Sequence, residues 1–109
     1  MRIQFLWWEG CPSHPKARQR LQQALDELGM EAEIETIEVL TDEDAERWGF
    51  PGSPTILVEG QDIDPQGAQQ PARLTCRLYF LENGRPSPVP SVEMIKRALQ
   101  AAQDRSAAT

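Results

Sequence analysis

A chain of 109 residues with a net charge of −6, from 17 acidic and 11 basic side chains, has room for one domain with a core and not for two ordinary ones. No cluster of Lys and Arg could track a phosphate backbone, so neither nucleic acid nor an anionic membrane is an expected partner. Two cysteines, Cys11 and Cys76, are too few for a secreted disulfide scaffold, and in a reducing compartment such thiols are more often reactive than structural.

The apolar run from Ile3 to Trp8 meets Glu9 without a preceding basic segment or a small-residue cleavage pattern. It therefore reads as a buried strand, and a cytoplasmic location is the expectation. Nothing elsewhere is long enough to span a bilayer.

Arg2 to Trp7 is expected to be a central strand, because apolar residues occupy both alternating faces. The first helix covers roughly Pro15 to Leu28, with Ala17, Leu21, Ala24, Leu25 and Leu28 on one stripe. Pro15 suits its first turn and Gly29 the position past its end. Ala32 to Val39 alternates with Glu31, Glu33 and Glu35, the pattern of an edge strand with one wet face. Thr41 caps a short helix that has Asp44 at its third position and stops at Gly49. Phe50 to Pro54 is a rigid connection into a β-branched, apolar strand, Thr55 to Val58, which Glu59-Gly60-Gln61 closes with a turn.

Asp64 to Arg73 has no hydrophobic period and is expected to be a loop. Leu74 to Leu81 reads as a further strand, and Asn83-Gly84 favours a tight hairpin turn after it. Pro86, Pro88 and Pro90 keep the next segment extended, at an edge or as a connector. Ser91 caps a last helix whose stripe is Val92, Ile95, Ala98, Leu99 and Ala102. Residues 104–109 are expected to fray, leaving a single domain over 1–103. The order calls for an α/β fold: a mixed sheet of four to five strands with helices on both faces, its first two strands parallel neighbours joined by a right-handed crossover.

Cys11 falls between the first strand and the first helix, where unpaired N–H groups and the helix dipole favour thiolate over thiol. His14 suits three roles: stabilising that thiolate, giving a proton to a leaving thiol, or capping the helix and facing solvent. Cys-x-x-His is also half of a zinc site, but the chain's single histidine and two cysteines do not complete one, so no metal or cofactor is expected. Asp62 and Asp64 suit acid–base or metal chemistry near a thiol pair, or a solvated turn before Pro65.

With these elements in this order, the sequence resembles the thioredoxin superfamily over nearly its whole length. The first strand ends just before a Cys-x-x-x turn, Cys11 stands where the family places its nucleophilic cysteine, and Ser53-Pro54-Thr55 resembles the family's cis-proline loop. The resemblance implies a thioredoxin-like fold, a cis Ser53–Pro54 bond facing Cys11, and a groove in which Trp8, Pro12, Ser53 and Pro54 meet an extended thiol substrate. A narrower likeness lies in Trp8-Glu9-Gly10-Cys11-Pro12, Gly52-Ser53-Pro54-Thr55-Ile56, Asp62-Ile63-Asp64-Pro65 and Cys76-Arg77-Leu78-Tyr79. It is to small thioredoxin-like proteins sometimes labelled alkylmercury lyase-like. His14 stands where a thioredoxin has its second cysteine, so no dithiol forms inside the turn.

The place of Cys76 depends on strand pairing. If Asp62 to Asp64 folds back beside the third strand, the chain returns to the Cys11 end; if Leu74 to Leu81 pairs directly with Thr55 to Val58, Cys76 starts at the far end. The broken alternation at Asp62 and Asp64 and the separate Asn83-Gly84 hairpin favour the first. The leading functional expectation is a thiol oxidoreductase acting through Cys11, with His14 and Cys76 assisting, on a disulfide or thiol-reactive small substrate, with glutathione or a partner protein as the thiol or disulfide partner. The alternatives are a non-catalytic binding module using the same groove, and capture of a soft metal or organomercurial by Cys11 and Cys76.

Overall fold

The computed structural model describes residues 1–107. Its main sheet has four strands in the order β2-β1-β3-β4, where β1 is Arg2–Trp7, β2 Glu33–Glu38, β3 Thr55–Val58 and β4 Gln61–Asp62. Strand β1 runs parallel to β2, from Arg2 opposite Glu33 to Trp7 opposite Glu38, and antiparallel to β3, from Ile3 opposite Val58 to Leu6 opposite Thr55. Strand β4 turns back antiparallel to β3, so it points toward the same end as β1. The glutamate-rich β2 lies at the edge, where its wet face needs no cover.

Helices α1 (His14–Leu28) and α3 (Val92–Ala107) cover one face of the sheet. Ile3, Phe5, Ile56 and Val58 meet Leu21, Leu25, Ile95 and Leu99 there, all buried. Helix α2 (Asp42–Trp48) covers the other face through Leu6, Val39, Ala45 and Phe50. This two-sided burial follows from the apolar residues on both faces of β1, Ile3 and Phe5 on one and Leu6 on the other. The helix ends also follow local chemistry: Gly29 and Gly49 sit at φ 64° and 62° past α1 and α2, the Thr41 hydroxyl accepts the Asp44 N–H at 3.0 Å, and the Ser91 hydroxyl accepts that of Met94 at 3.1 Å.

Three expectations change. Leu74 to Leu81 is not one strand: only Tyr79–Phe80 (β5) forms a ladder, a small hairpin with Pro86–Ser87 (β6) that stands apart from the main sheet. The segment before it leaves the strand path because the Ser53 backbone pairs with it and the Arg77 side chain turns inward to Asp62. The Asp64 to Arg73 loop contains a 3₁₀ turn over Gly67–Gln69. Helix α3 continues through Asp104 to Ala107, where fraying was expected, and residues 108–109 lie outside the described residues. Among the described residues no helix is long and apolar enough to cross a membrane.

Candidate thiol site at the end of the central strand

After Trp7 the chain turns back on itself, the Cys11 N–H reaching the Trp8 carbonyl at 3.0 Å, and Cys11 arrives at the start of α1 with 1% of its surface exposed. The turn depends on Gly10, because a Cβ there would lie 2.4 Å from the Trp8 indole that folds over it. Ser13 holds the N-cap position of α1 without capping it; its hydroxyl lies 3.2 Å from Cys11 Sγ instead.

Because β3 runs antiparallel to β1, the residues that precede it arrive at the same end of the sheet. Ser53 and Pro54, joined by a cis peptide bond, therefore lie beside Cys11. The Cys11 thiol donates to the Ser53 carbonyl at 3.4 Å, and the Ser53 hydroxyl accepts the Trp8 N–H at 3.0 Å.

Cys76 completes the site. Of the two pairings open to the sequence, the fold takes the first: β4 carries the chain back to the Cys11 end, and residues 75–77 bridge to Ser53 in parallel. The Ser53 N–H donates to the Thr75 carbonyl at 2.8 Å and the Arg77 N–H to the Ser53 carbonyl at 2.9 Å. Both thiols are free, and the two sulfurs lie in near contact without a disulfide.

The pair is electrostatically asymmetric. Burial pushes the Cys11 thiol up, but hydrogen bonds from the Cys76 thiol, the Ser13 hydroxyl and N–H, and the Ser53 hydroxyl outweigh it and leave its pKa below the ordinary value. Cys76 is pushed up to about 11, first by its hydrogen bond to Cys11, then by burial and by the charge of the Cys11 thiolate. The pair is thus biased so that Cys11 ionises before Cys76. Cys76 is nonetheless the exposed member.

The other expected site residues are arranged differently. His14 stacks on Trp7 with ring centroids 4.4 Å apart, and among the described residues no hydrogen bond joins it to either cysteine. Ser53 and Pro54 are buried, and their backbone groups are engaged internally: Thr75 and Arg77 occupy Ser53, and the Tyr79 hydroxyl donates to the Pro54 carbonyl at 2.6 Å. The expected open groove at Ser53 and Pro54 is therefore filled by the chain itself, while Trp8 is half-buried and Pro12 exposed at its rim. A separate cleft of about 440 Å³ opens on the Cys76 side, bounded by Pro51, Arg73, Leu78 and Phe80. Leu78 and Phe80 are both more than half exposed.

Asp62 and Asp64 are neither a solvated turn alone nor an acid–base pair. Asp62 binds the Arg77 guanidinium with both carboxylate oxygens at 2.8 Å, its side chain only 8% exposed, and Asp64 adds a carbonyl acceptor at 3.0 Å. Among the described residues no group of three or more His, Cys, Asp and Glu side chains could hold a metal ion. The sequence reading passed over Ser13 and Arg77. For Arg77 a signal existed: a lone cation within Leu74 to Leu81, a run otherwise free of charge, in a chain with two aspartates on a broken strand.

No family model matches the chain, and no curated protein or solved structure is detectably similar to it.

Proposed function

We propose that the chain is a thioredoxin-like thiol–disulfide oxidoreductase in which Cys11 is the nucleophile and Cys76 the resolving thiol. The observation that carries this reading is the meeting of the two free thiols at the C-terminal end of β1, with the charge biased onto Cys11. Its fold component is supported by the parallel β1-α1-β2 unit, the antiparallel β3-β4 pair that follows a cis proline, and the closing helix α3.

The chemistry balances with a disulfide as oxidant. The Cys11 thiolate attacks one sulfur of R–S–S–R, forming a Cys11–S–S–R bond and expelling RS⁻, which takes up a proton. Cys11 then carries no charge, so the thiolate that held the proton on Cys76 is gone, and Cys76 ionises more easily. Its thiolate attacks Cys11 Sγ, closing a Cys11–Cys76 disulfide and releasing the second RSH. Two electrons pass from the cysteine pair to the substrate, and an external thiol reductant returns them.

His14 has no part in this sequence, since its ring is stacked on Trp7 and makes no hydrogen bond to Cys11 or Cys76 among the described residues. The experiment is turnover of a small disulfide coupled to glutathione, with mass mapping of the trapped intermediate. Cys11→Ser abolishes turnover, and Cys76→Ser accumulates a mixed disulfide on Cys11. Undiminished turnover in Cys11→Ser overturns the reading.

A further inference from the structure

We propose that Arg77 is a positioning residue for the cysteine pair: its buried guanidinium clamps the strap of residues 75–77 onto Ser53 and so holds Cys76 against Cys11. The inference rests on the reading of Cys11 and Cys76 as a redox pair. Nothing in the reaction itself requires Arg77 to touch substrate.

The flanking chain is tied down by the Arg73 N–H to the Phe50 carbonyl at 3.1 Å, the Leu74 N–H to the Asp42 carboxylate at 3.2 Å and the Tyr79 hydroxyl to the Pro54 carbonyl, but the strap between them has fewer ties of its own. It belongs to no sheet, and its backbone is joined to the rest of the fold at Ser53 by two hydrogen bonds. Arg77 supplies the depth that two backbone bonds lack. With 3% of its side chain exposed, it makes a two-pronged contact with Asp62 on β4, gives a further hydrogen bond to Thr55 Oγ1 on β3 at 3.2 Å, and another to the Asp64 carbonyl. The Tyr79 ring packs under the guanidinium at 4.6 Å. A planar fork of five donors fits this set of acceptors, and an ammonium group does not. Gly52 and Gly67 leave the room: a Cβ on Gly52 would lie 2.9 Å from Arg77 Cβ, and one on Gly67 2.8 Å from Nη2. The Nε–H is buried and has no hydrogen-bond partner among the described residues.

The consequence for chemistry is opposite at the two cysteines. Held down, the strap buries Cys11 and presents Cys76 to it at high effective concentration; released, it would uncover Cys11 and lose Cys76 as a resolving partner. General loss of stability has no such signature while the protein stays folded, because the folded population keeps the strap on Ser53 and Cys76 against Cys11.

The test compares Arg77→Met, Arg77→Lys and Asp62→Asn with the unaltered protein, using the Cys11–Cys76 disulfide equilibrium in glutathione buffers and the pH profile of alkylation at each cysteine. Leu99→Ala, on α3, serves as the destabilised comparator. In Arg77→Met the disulfide equilibrium constant falls by about ten-fold or more, as expected for losing a fixed geometry. Cys11 alkylates faster at alkaline pH, and the midpoint of its profile moves toward that of an ordinary thiol. Asp62→Asn, which keeps the shape of the partner and removes its charge, shifts the same readouts in the same direction and stands in if Arg77→Met does not fold. Arg77→Lys recovers part of the equilibrium, and Leu99→Ala leaves both readouts in place. An unchanged equilibrium and profile in Arg77→Met and Asp62→Asn overturns the role of Arg77, as does an equal shift in Leu99→Ala. Failure of the unaltered protein to form the disulfide in any of these buffers overturns the redox reading itself.

Discussion

Cys11 donates its thiol hydrogen to the carbonyl oxygen of Ser53 at 3.4 Å. That same carbonyl accepts the Arg77 N–H at 2.9 Å, so one peptide oxygen ties the strand-to-helix turn, the loop before β3 and the strap that carries Cys76. Removing any one of the three disturbs the other two.

The first consequence is a reciprocal titration. Cys76→Ala takes away a hydrogen bond that lowers Cys11, so the Cys11 pKa rises; Cys11→Ala removes the partner that raises Cys76, which falls from about 11 toward its ordinary 9.0. Thiolate absorbance against pH in the two single variants measures both movements. Two independent titrations at their original midpoints would refute the contact.

Stability of the reduced protein follows from the same pair. The depressed pKa of folded Cys11 means that the unfolded chain holds that proton more tightly, so stability rises with pH from the folded Cys11 pKa up to about 9. Cys76 is raised in the folded state, so its contribution is fully present below the ordinary 9.0 and is lost as pH rises through about 11. Urea unfolding across this range shows a maximum near the crossover, relative to a Cys11→Ala/Cys76→Ala protein as baseline. Identical pH dependence in the two proteins contradicts the assignment.

Ser53→Ala removes the acceptor of the Trp8 N–H and a donor to the Cys11 sulfur. The unpaired N–H costs about 1–2 kcal/mol of stability. A rise in the Cys11 pKa accompanies it, and calorimetry with alkylation profiles reads both.

At Gly52, φ is +146° and an added Cβ would lie 3.0 Å from the Arg77 Cα and N, backbone atoms that cannot rotate aside. Gly52→Ala therefore pushes the strap off Ser53, with overpacking of about 1–3 kcal/mol and faster alkylation of Cys11. Wild-type labelling rates would show that the strap is not what covers the thiol.

Arg77→Met leaves the Asp62 carboxylate buried without its cation and is expected to cost about 3–5 kcal/mol. Leu99→Ala opens a cavity in the α1–α3 core for about 2–5 kcal/mol. Thermal unfolding should place the two close together, which is why only their thiol chemistry separates them.

Much of this molecule is readable one segment at a time. The apolar residues on both faces of Ile3 to Trp7, interrupted only by Gln4, demand cover on both sides, the leucine and alanine stripes of α1 and α3 face the sheet, and Thr41, Ser91, Gly29 and Gly49 mark helix ends through groups within a few residues of each other. The same local reading placed Cys11 at a strand-to-helix turn; the Ser53-Pro54 loop beside it was implied only by the resemblance, and the antiparallel pairing of β1 with β3 is what brings it there. It misread Leu74 to Leu81 as one strand, since apolar alternation there says nothing of where Arg77 finds a counter-charge.

What the chain by itself determined, then, is a reactive-looking thiol at the end of a central strand, with the second thiol's position left to one ambiguous pairing. The tertiary structure decided the rest. Two hydrogen bonds at Ser53 and a buried ion pair between Arg77 and Asp62 join residues far apart in sequence, and their energy depends on burial that exists only after the sheet has assembled. No local pattern encodes such a contact, yet it is the contact that brings Cys76 to Cys11.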